Sequence, residues 1–260
     1  MRQIEKEAIE RLLTGQLGRP LWVYDCVEST NDTAKTLARQ GAGHGTTVVA
    51  KKQTKGRGRM GRSFYSPREG VYVTVILRPE FLPADFLLIT AAAGVAVAQA
   101  VEAVCGLQPK IKWVNDVYYG GKKLCGILTE SVLHTDGTLG YAVAGIGINL
   151  YETDFPEELR GKAVSLEGCG AAQVDGNRLV AVLLNSLDAI LSSPDPTDFL
   201  RYYKERSCVI GRRVTMIQGE HSEEVQAVDI DGQARLVVLR ENGEKIALGS
   251  GEISLRGEFL

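Results

Sequence analysis

The chain is poor in the features that would make an imidazole, disulfide, membrane or nucleic-acid reading easy. Its three histidines, His44, His134 and His221, stand outside every motif found below. Its five cysteines (Cys26, Cys105, Cys125, Cys169 and Cys208) include no Cys-x-x-Cys pair. An odd, scattered set in a chain this long points to reduced thiols and a cytoplasmic protein. No apolar core follows Met1-Arg2-Gln3-Ile4, so no secretory signal is expected. The most apolar stretch, Phe86 to Leu107, is interrupted by Gln99 and Glu102, which describes a packed core helix rather than a membrane span. A net charge of −2 argues against a DNA-coating protein. No Gly-Lys-Ser/Thr stands at P-loop spacing, and no internal repeat or low-complexity tract occurs. What is present, 44% hydrophobic and 24% charged residues over 260 positions, suits a globular protein with a substantial core.

Against this even background one window stands out. Lys51 to Arg62 holds six basic residues (Lys51, Lys52, Lys55, Arg57, Arg59, Arg62) and no acid, leaving −8 for the rest of the chain. Such an inversion suits an anionic ligand, and Gly56, Gly58 and Gly61 let backbone N–H groups approach it. Gly56-x-Gly58-x-x-Gly61 formally matches a dinucleotide fingerprint, but a helix should open directly after it. Here Ser63-Phe64-Tyr65-Ser66-Pro67 and then the strand Val71 to Leu77 follow, so that reading is excluded.

In chain order, Ile4, Ala8, Ile9, Leu12 and Leu13 share a helical face that Gly15 and Gly18 close. One short helix is too little for a helix-turn-helix module. Leu21 to Val27 reads as a strand entering Ser29-Thr30-Asn31, which by itself is a cap for the helix Asp32 to Gln40. Thr46 to Lys52 is a strand feeding the basic loop, and Ala84 to Val104 a long core helix. Lys110 to Trp113 is a strand end, followed by the polar corner Val114-Asn115-Asp116 and a hairpin through Gly120-Gly121 into Lys122 to Ser131. Thr138 to Asn149 is a strand whose Gly145 and Gly147 imply close approach of another backbone or a ligand. Helices are expected over Asn177 to Leu191 and Pro196 to Ser207. Beyond Gly211, short strands punctuated by Asp231-Gly232 and Asn242-Gly243 describe a small antiparallel barrel. The expected divisions are a short N-terminal helix (1–20), a main domain (21–209) and the barrel (210–260).

The polar sites at the strand ends, taken in series, resemble the biotin protein ligase family. The resemblance rests on Glu28-Ser29-Thr30-Asn31, Gln53 through Gly56-Arg57-Gly58-Arg59-Met60-Gly61-Arg62, and Lys112-Trp113-Val114-Asn115-Asp116. It continues in Lys123-Leu124-Cys125-Gly126-Ile127-Leu128-x-Glu130, Gly145-Ile146-Gly147-Ile148-Asn149, and Gly249-x-Gly251-Glu252-Ile253-Ser254-Leu255-Arg256. Two positions depart from the usual pattern. Val114 replaces a proline, which predicts a less rigid corner, and Met60 replaces a polar residue.

The resemblance implies an α+β fold: a central mixed or antiparallel sheet packed by helices, like a class II synthetase, with an SH3-like C-terminal barrel. It implies ATP-dependent biotinylation of a lysine on the biotin-carrier domain of acetyl-CoA carboxylase or a related carboxylase, through biotinyl-5′-AMP. Biotin, ATP and Mg²⁺ are the implied small molecules; no nucleic acid or membrane partner is expected, and a homodimer is left open. Missing a DNA-binding module, the chain is expected to be the single-function form. By resemblance, Ser29, Thr30, Asn31, Gln53, Arg57, Gly58, Arg59 and Lys112 contact biotin, and Arg59, Arg62, Phe64 and Asn149 contact the nucleotide. Lys112 and Arg59 are the expected catalytic cations, with Asp116 the candidate to support the metal or orient Lys112. Taken singly, Lys112 is a solvated lysine along Trp113, Asp116 a turn residue and Asn149 a loop cap. A lipoate or octanoate ligase of the same superfamily is the alternative enzyme, and an RNA- or polyphosphate-binding module the non-enzymatic one.

Overall fold

The computed structural model describes residues 4–78, 86–218, 221–249 and 252–255. The predicted Ala84 start of the long helix and the motif residues Gly251 and Arg256 lie outside them. Among the described residues twelve strands and five α-helices follow one another: α1 (Lys6–Glu10), β1 (Leu21–Tyr24), α2 (Thr30–Arg39), β2 (Thr47–Ala50), β3 (Gly70–Leu77) and α3 (Phe86–Cys105). Then come β4 (Lys110–Lys112), β5 (Asp116–Tyr119), β6 (Lys122–Leu133), β7 (Leu139–Asn149), α4 (Gly176–Ser192) and α5 (Thr197–Arg206). The C-terminal strands are β8 (Arg213–Gln218), β9 (His221–Ile230), β10 (Leu236–Leu239), β11 (Lys245–Leu248) and β12 (Glu252–Leu255).

Seven strands form one mixed sheet in the order β1-β2-β3-β7-β6-β5-β4. Only β1–β2 is parallel, because α2 crosses between them; the remaining pairs are antiparallel. One face carries Val49, Val71, Val73 and Val75 into a core closed by α3 and α4. The other carries Val48, Ile76 and Val143 against Ala34 and Ala38 of α2. Helix α2 covers only part of that face, and the uncovered part is where the polar residues gather.

Among the described residues one helix, α3, is long and apolar enough to cross a membrane. It is instead buried, with Ala91 to Ala98 inaccessible to solvent. Its Gly94 has room for a side chain: an added Cβ would meet Ile111, Ile127 and Tyr203 at 3.6–3.8 Å, ordinary contact distances. Gly94→Ala is therefore expected to stabilise the chain by about 0.5–1 kcal/mol, measured by denaturant unfolding.

The N-terminal helix is shorter than its apolar periodicity predicts. After Glu10 the chain is captured by α4: the Thr14 and Gln16 amides donate to Asn185 Oδ1 and Asp188 Oδ2 at 2.9 and 3.0 Å. Ile9, Leu13 and Leu17 are buried, whereas Leu12 is 46% exposed. Side-chain acceptors on α4 thus replace the helical bonds that would have carried α1 onward.

The five C-terminal strands form an antiparallel sheet in the order β11-β10-β9-β8-β12. Its apolar face (Val214, Val225, Ala227, Leu236, Val238) is continuous with Leu88, Ala91 and Val95 of α3, Leu200 and Tyr203 of α5, and Trp113. The Trp113 indole N–H donates to the Ala234 carbonyl at 2.9 Å.

Candidate active site

A cleft opens on the sheet face that α2 leaves bare, and pairing register explains its shape. One lateral row runs across all seven strands: Tyr24, Ala50, Tyr72, Gly147, Gly126, Asp116, Lys112. Directly paired residues project from the same face, so the glycines of β6 and β7 cut a trough between Tyr72 and Asp116. The next row, Thr74, Gly145, Leu128, continues it. The spaces above these glycines are used by the chain itself. A Cβ on Gly126 or Gly147 would fall 2.8 or 2.6 Å from the Phe64 ring, and one on Gly145 would fall 2.1 Å from Asn31 Oδ1. The close approach expected at these glycines is therefore made by Phe64 and Asn31.

At one end of the trough Ser29 caps α2 by accepting from the Asp32 amide. Gln53 Oε1 accepts from the Thr30 amide and hydroxyl at 2.8 and 3.0 Å, while Gln53 Nε2 donates to Ser66 Oγ. The Asn31 amide is fully engaged: Oδ1 accepts from Thr74 Oγ1 at 2.7 Å, and Nδ2 donates to the Leu128 carbonyl and Glu130 Oε2. These polar groups form a rigid end wall, with Ser29, Thr30 and Asn31 almost entirely buried.

The Gly/Arg loop forms the roof. It is a tight hairpin in which the Gly58 amide donates to the Arg62 carbonyl at 2.7 Å and the Phe64 amide to Gly56 at 2.9 Å. Gly56 is required by the chain's own backbone, since a Cβ there would lie 2.4 Å from the Phe64 carbonyl. Met60, at the tip, has a positive φ of 55° and is 70% exposed. Arg59 reaches across the cleft, donating to Asn115 Oδ1 at 3.2 Å, and Asn115 Nδ2 in turn donates to the Ile127 carbonyl. Together with Tyr203 Oη donating to the Val114 carbonyl, these bonds secure the corner where proline is absent. Arg57 is turned to Asp32 at 2.5 Å and Glu130 at 3.4 Å.

Two lysines line this end of the cleft, the expected Lys112 and Lys123. The Lys123 amine lies over the trough floor, 3.3 Å from where a Gly126 Cβ would stand. It is held by Asp116 Oδ1 at 2.7 Å and lies 5.8 Å from the Phe64 ring centre. Lys112 also lines the cleft, yet its amine lies 5.7 Å from the centre of the Tyr118 ring, on a residue that does not. Asp116, the carboxylate expected to support a metal or orient Lys112, gives one oxygen to Lys123.

The structure brings Ser29, Thr30, Asn31, Gln53, Arg57, Gly58, Arg59, Arg62, Phe64, Lys112 and Asp116 to this one cleft, and Ile253 of β12 joins them. It does not bring Asn149 there: that buried side chain, two residues beyond Gly147 on the same face, donates to the Val164 carbonyl at 3.0 Å. Lys123 and Asn115 are the lining residues whose roles the sequence reading passed over. Five lining cations (Arg57, Arg59, Arg62, Lys112, Lys123) face a single lining acid, Asp116, which makes the cleft a receptor for anions. Among the described residues no group of three or more His, Cys, Asp or Glu could hold a metal ion.

Comparison with known proteins agrees with this architecture. Residues 23–149 match the biotin/lipoate A/B protein ligase family and residues 209–256 the biotin protein ligase C-terminal domain. The chain is 40% identical over 173 residues to the bifunctional ligase/repressor BirA of Bacillus spizizenii, a match spanning 66% of this chain and 53% of that protein. It is 34% identical over 260 residues to the biotin–[acetyl-CoA-carboxylase] ligase of Mycobacterium tuberculosis, covering 94% of each. The biotin protein ligase of Aquifex aeolicus, solved with biotin and ATP, superposes with a TM-score of 0.78 at 29% identity, over 90% of this chain and 97% of that one. On these grounds the chain belongs to the biotin/lipoate A/B protein ligase family, among its biotin protein ligases.

Proposed function

We propose that this protein joins biotin to a specific lysine of a carboxylase biotin-carrier domain at the expense of ATP. The observation that carries the reading is the cleft itself: a glycine floor overlaid by the Phe64 ring as an apolar wall, closed at one end by neutral hydrogen-bonding groups and at the other by cations. A ligand with a neutral polar head, an apolar arm and a terminal carboxylate fits that sequence of surfaces. The head lies at Ser29, Thr30, Asn31 and Gln53, and the carboxylate is directed at Lys123.

The chemistry follows from the charges. One carboxylate oxygen attacks the α-phosphorus of ATP, and the bond to the β-phosphate oxygen breaks, releasing pyrophosphate and leaving biotinyl-5′-AMP. The nucleophile is already ionised at neutral pH, so no base is required. The obstacle is repulsion between two anions and charge growing on phosphoryl oxygens, which preorganised cations relieve. Lys123, a compact charge fixed by Asp116, stands where carboxylate and α-phosphate meet. Arg59 and Arg62 complete the field from the roof, Gly58 lets the loop backbone lie close to the same anion, and Phe64 shelters the mixed anhydride from water. The neutral amine of the acceptor lysine then attacks the acyl carbon, AMP departs, and the amine's surplus proton passes to solvent. Mg²⁺ would be held chiefly by the ATP phosphates, with Asp116 the lining carboxylate that would face it, and would supply charge neutralisation. Residues 21–209 form the catalytic part in this reading and 210–260 the appendage that lends Ile253. Five free thiols accord with action in the cytoplasm.

The test is exchange of labelled pyrophosphate into ATP with and without biotin. Exchange that requires biotin, followed by transfer to an added carrier domain, is the expected result. Exchange driven by lipoate or octanoate but not by biotin would move the assignment to the sister activity.

A further inference from the structure

We propose that Glu130, which lies outside the cleft, is a positioning residue that fixes two parts of the ligand-reading surface at once: the Asn31 amide in the floor and Arg57 at the base of the loop. The inference rests on the biotin reading above. Glu130 Oε1 accepts from Lys35 Nζ at 2.6 Å, and Oε2 accepts from Asn31 Nδ2 at 2.7 Å and Arg57 Nη2 at 3.4 Å. One carboxylate therefore ties the first two turns of α2 and the Gly/Arg loop to β6.

The need for a charged acceptor follows from the donors around it. Lys35 is nearly enclosed, with its side chain 13% exposed, and Arg57 is shared between Glu130 and Asp32. The Asn31 amide has a single workable orientation, because its Oδ1 is claimed by Thr74 and packed over Gly145. Its Nδ2 must then face an acceptor, and Glu130 provides it. Burial alone would raise the carboxyl's affinity for a proton, but the bonds from Lys35 and Asn31 and the charges of Lys35 and Arg57 outweigh it, leaving Glu130 below the ordinary glutamate range. The anion is thus present throughout the neutral range. A glutamine in its place keeps the shape but sets its N–H₂ either against the Lys35 ammonium or against Asn31 and Arg57, opposing donor to donor in both orientations and removing the charge that holds these cations. The amide that shapes the head pocket then loosens, and Arg57 loses its anchor on the sheet.

The experiment compares wild type, Glu130→Gln, Arg57→Met and the double variant, measuring KM for biotin and for ATP in pyrophosphate exchange, with Tm alongside. Glu130→Gln is expected to raise the biotin KM about tenfold while the ATP KM stays within about twofold. The double variant is expected to be no worse than the poorer single, because both changes break one coupled unit. A biotin KM within about twofold of wild type, parallel rises in both KM values with a fall in Tm, or fully additive singles would each overturn the role. Should Glu130→Gln not fold, Glu130→Asp keeps the charge on a shorter arm; an intermediate rise in biotin KM is expected, and an unchanged one overturns the proposal. Wild-type protein that shows no biotin-dependent exchange would instead remove the functional reading on which the inference stands.

Discussion

Lys123→Ala should lower biotin-dependent pyrophosphate exchange by about 10²–10³-fold, the scale on which a single preorganised electrostatic donor matters in a desolvated site. The effect should fall on kcat, because the charge is needed most while the phosphoryl oxygens gain negative charge. Lys112→Ala is the informative partner, since Lys112 also lines the cleft but its amine rests against the Tyr118 ring. It should cost less than about tenfold, as expected of a cation contributing only to the general field of the cleft. The reverse ranking would return the bridging role to Lys112. Removing Lys123 also strips Asp116 of its partner, so Tm must be followed to separate lost chemistry from lost packing.

The second large effect is expected at the floor. Gly145→Ala places a methyl 2.1 Å from Asn31 Oδ1 and 2.8 Å from its Cγ. Neither position is a flexible chain end, because Thr74, Leu128 and Glu130 all hold that amide. The side chain must be expelled or the strand displaced. A loss of about 1–3 kcal/mol in stability is expected from overpacking, together with biotin affinity reduced by about 100-fold once the end wall moves. Calorimetric titration measures the affinity and denaturant unfolding the stability. Affinity that survives the methyl would mean Asn31 does not shape the head pocket.

Much of this was legible before the coordinates. β-Branched runs and Gly/Asn turns located the strands, and the collinear polar segments selected nearly the whole lining of the cleft. What was hidden depended on register. Strict alternation puts Lys123 on the opposite face from Gly126, but β6 carries an extra residue against Val117 and Tyr118, and that bulge restores Lys123 to the cleft side. Lys112 neighbours a recognisable corner, whereas the direction of a cation's side chain depends on contacts far away in sequence. The Glu130 tie to Asn31 and Lys35 spans about a hundred positions, and no local pattern announces it. The truncated N-terminal helix has the same origin, in acceptors supplied by α4 some 170 residues later.

The Trp113 bond to Ala234 and the shared apolar layer beneath it carry a mechanical implication. A protease cut or a stop codon near Gly211 would not release a tidy module; it would strip α3 and α5 of their cover and leave a greasy surface prone to aggregate. The last fifty residues behave as a keystone for the strand end bearing Lys112, so scanning calorimetry should record one heat-absorption peak for the intact chain rather than two.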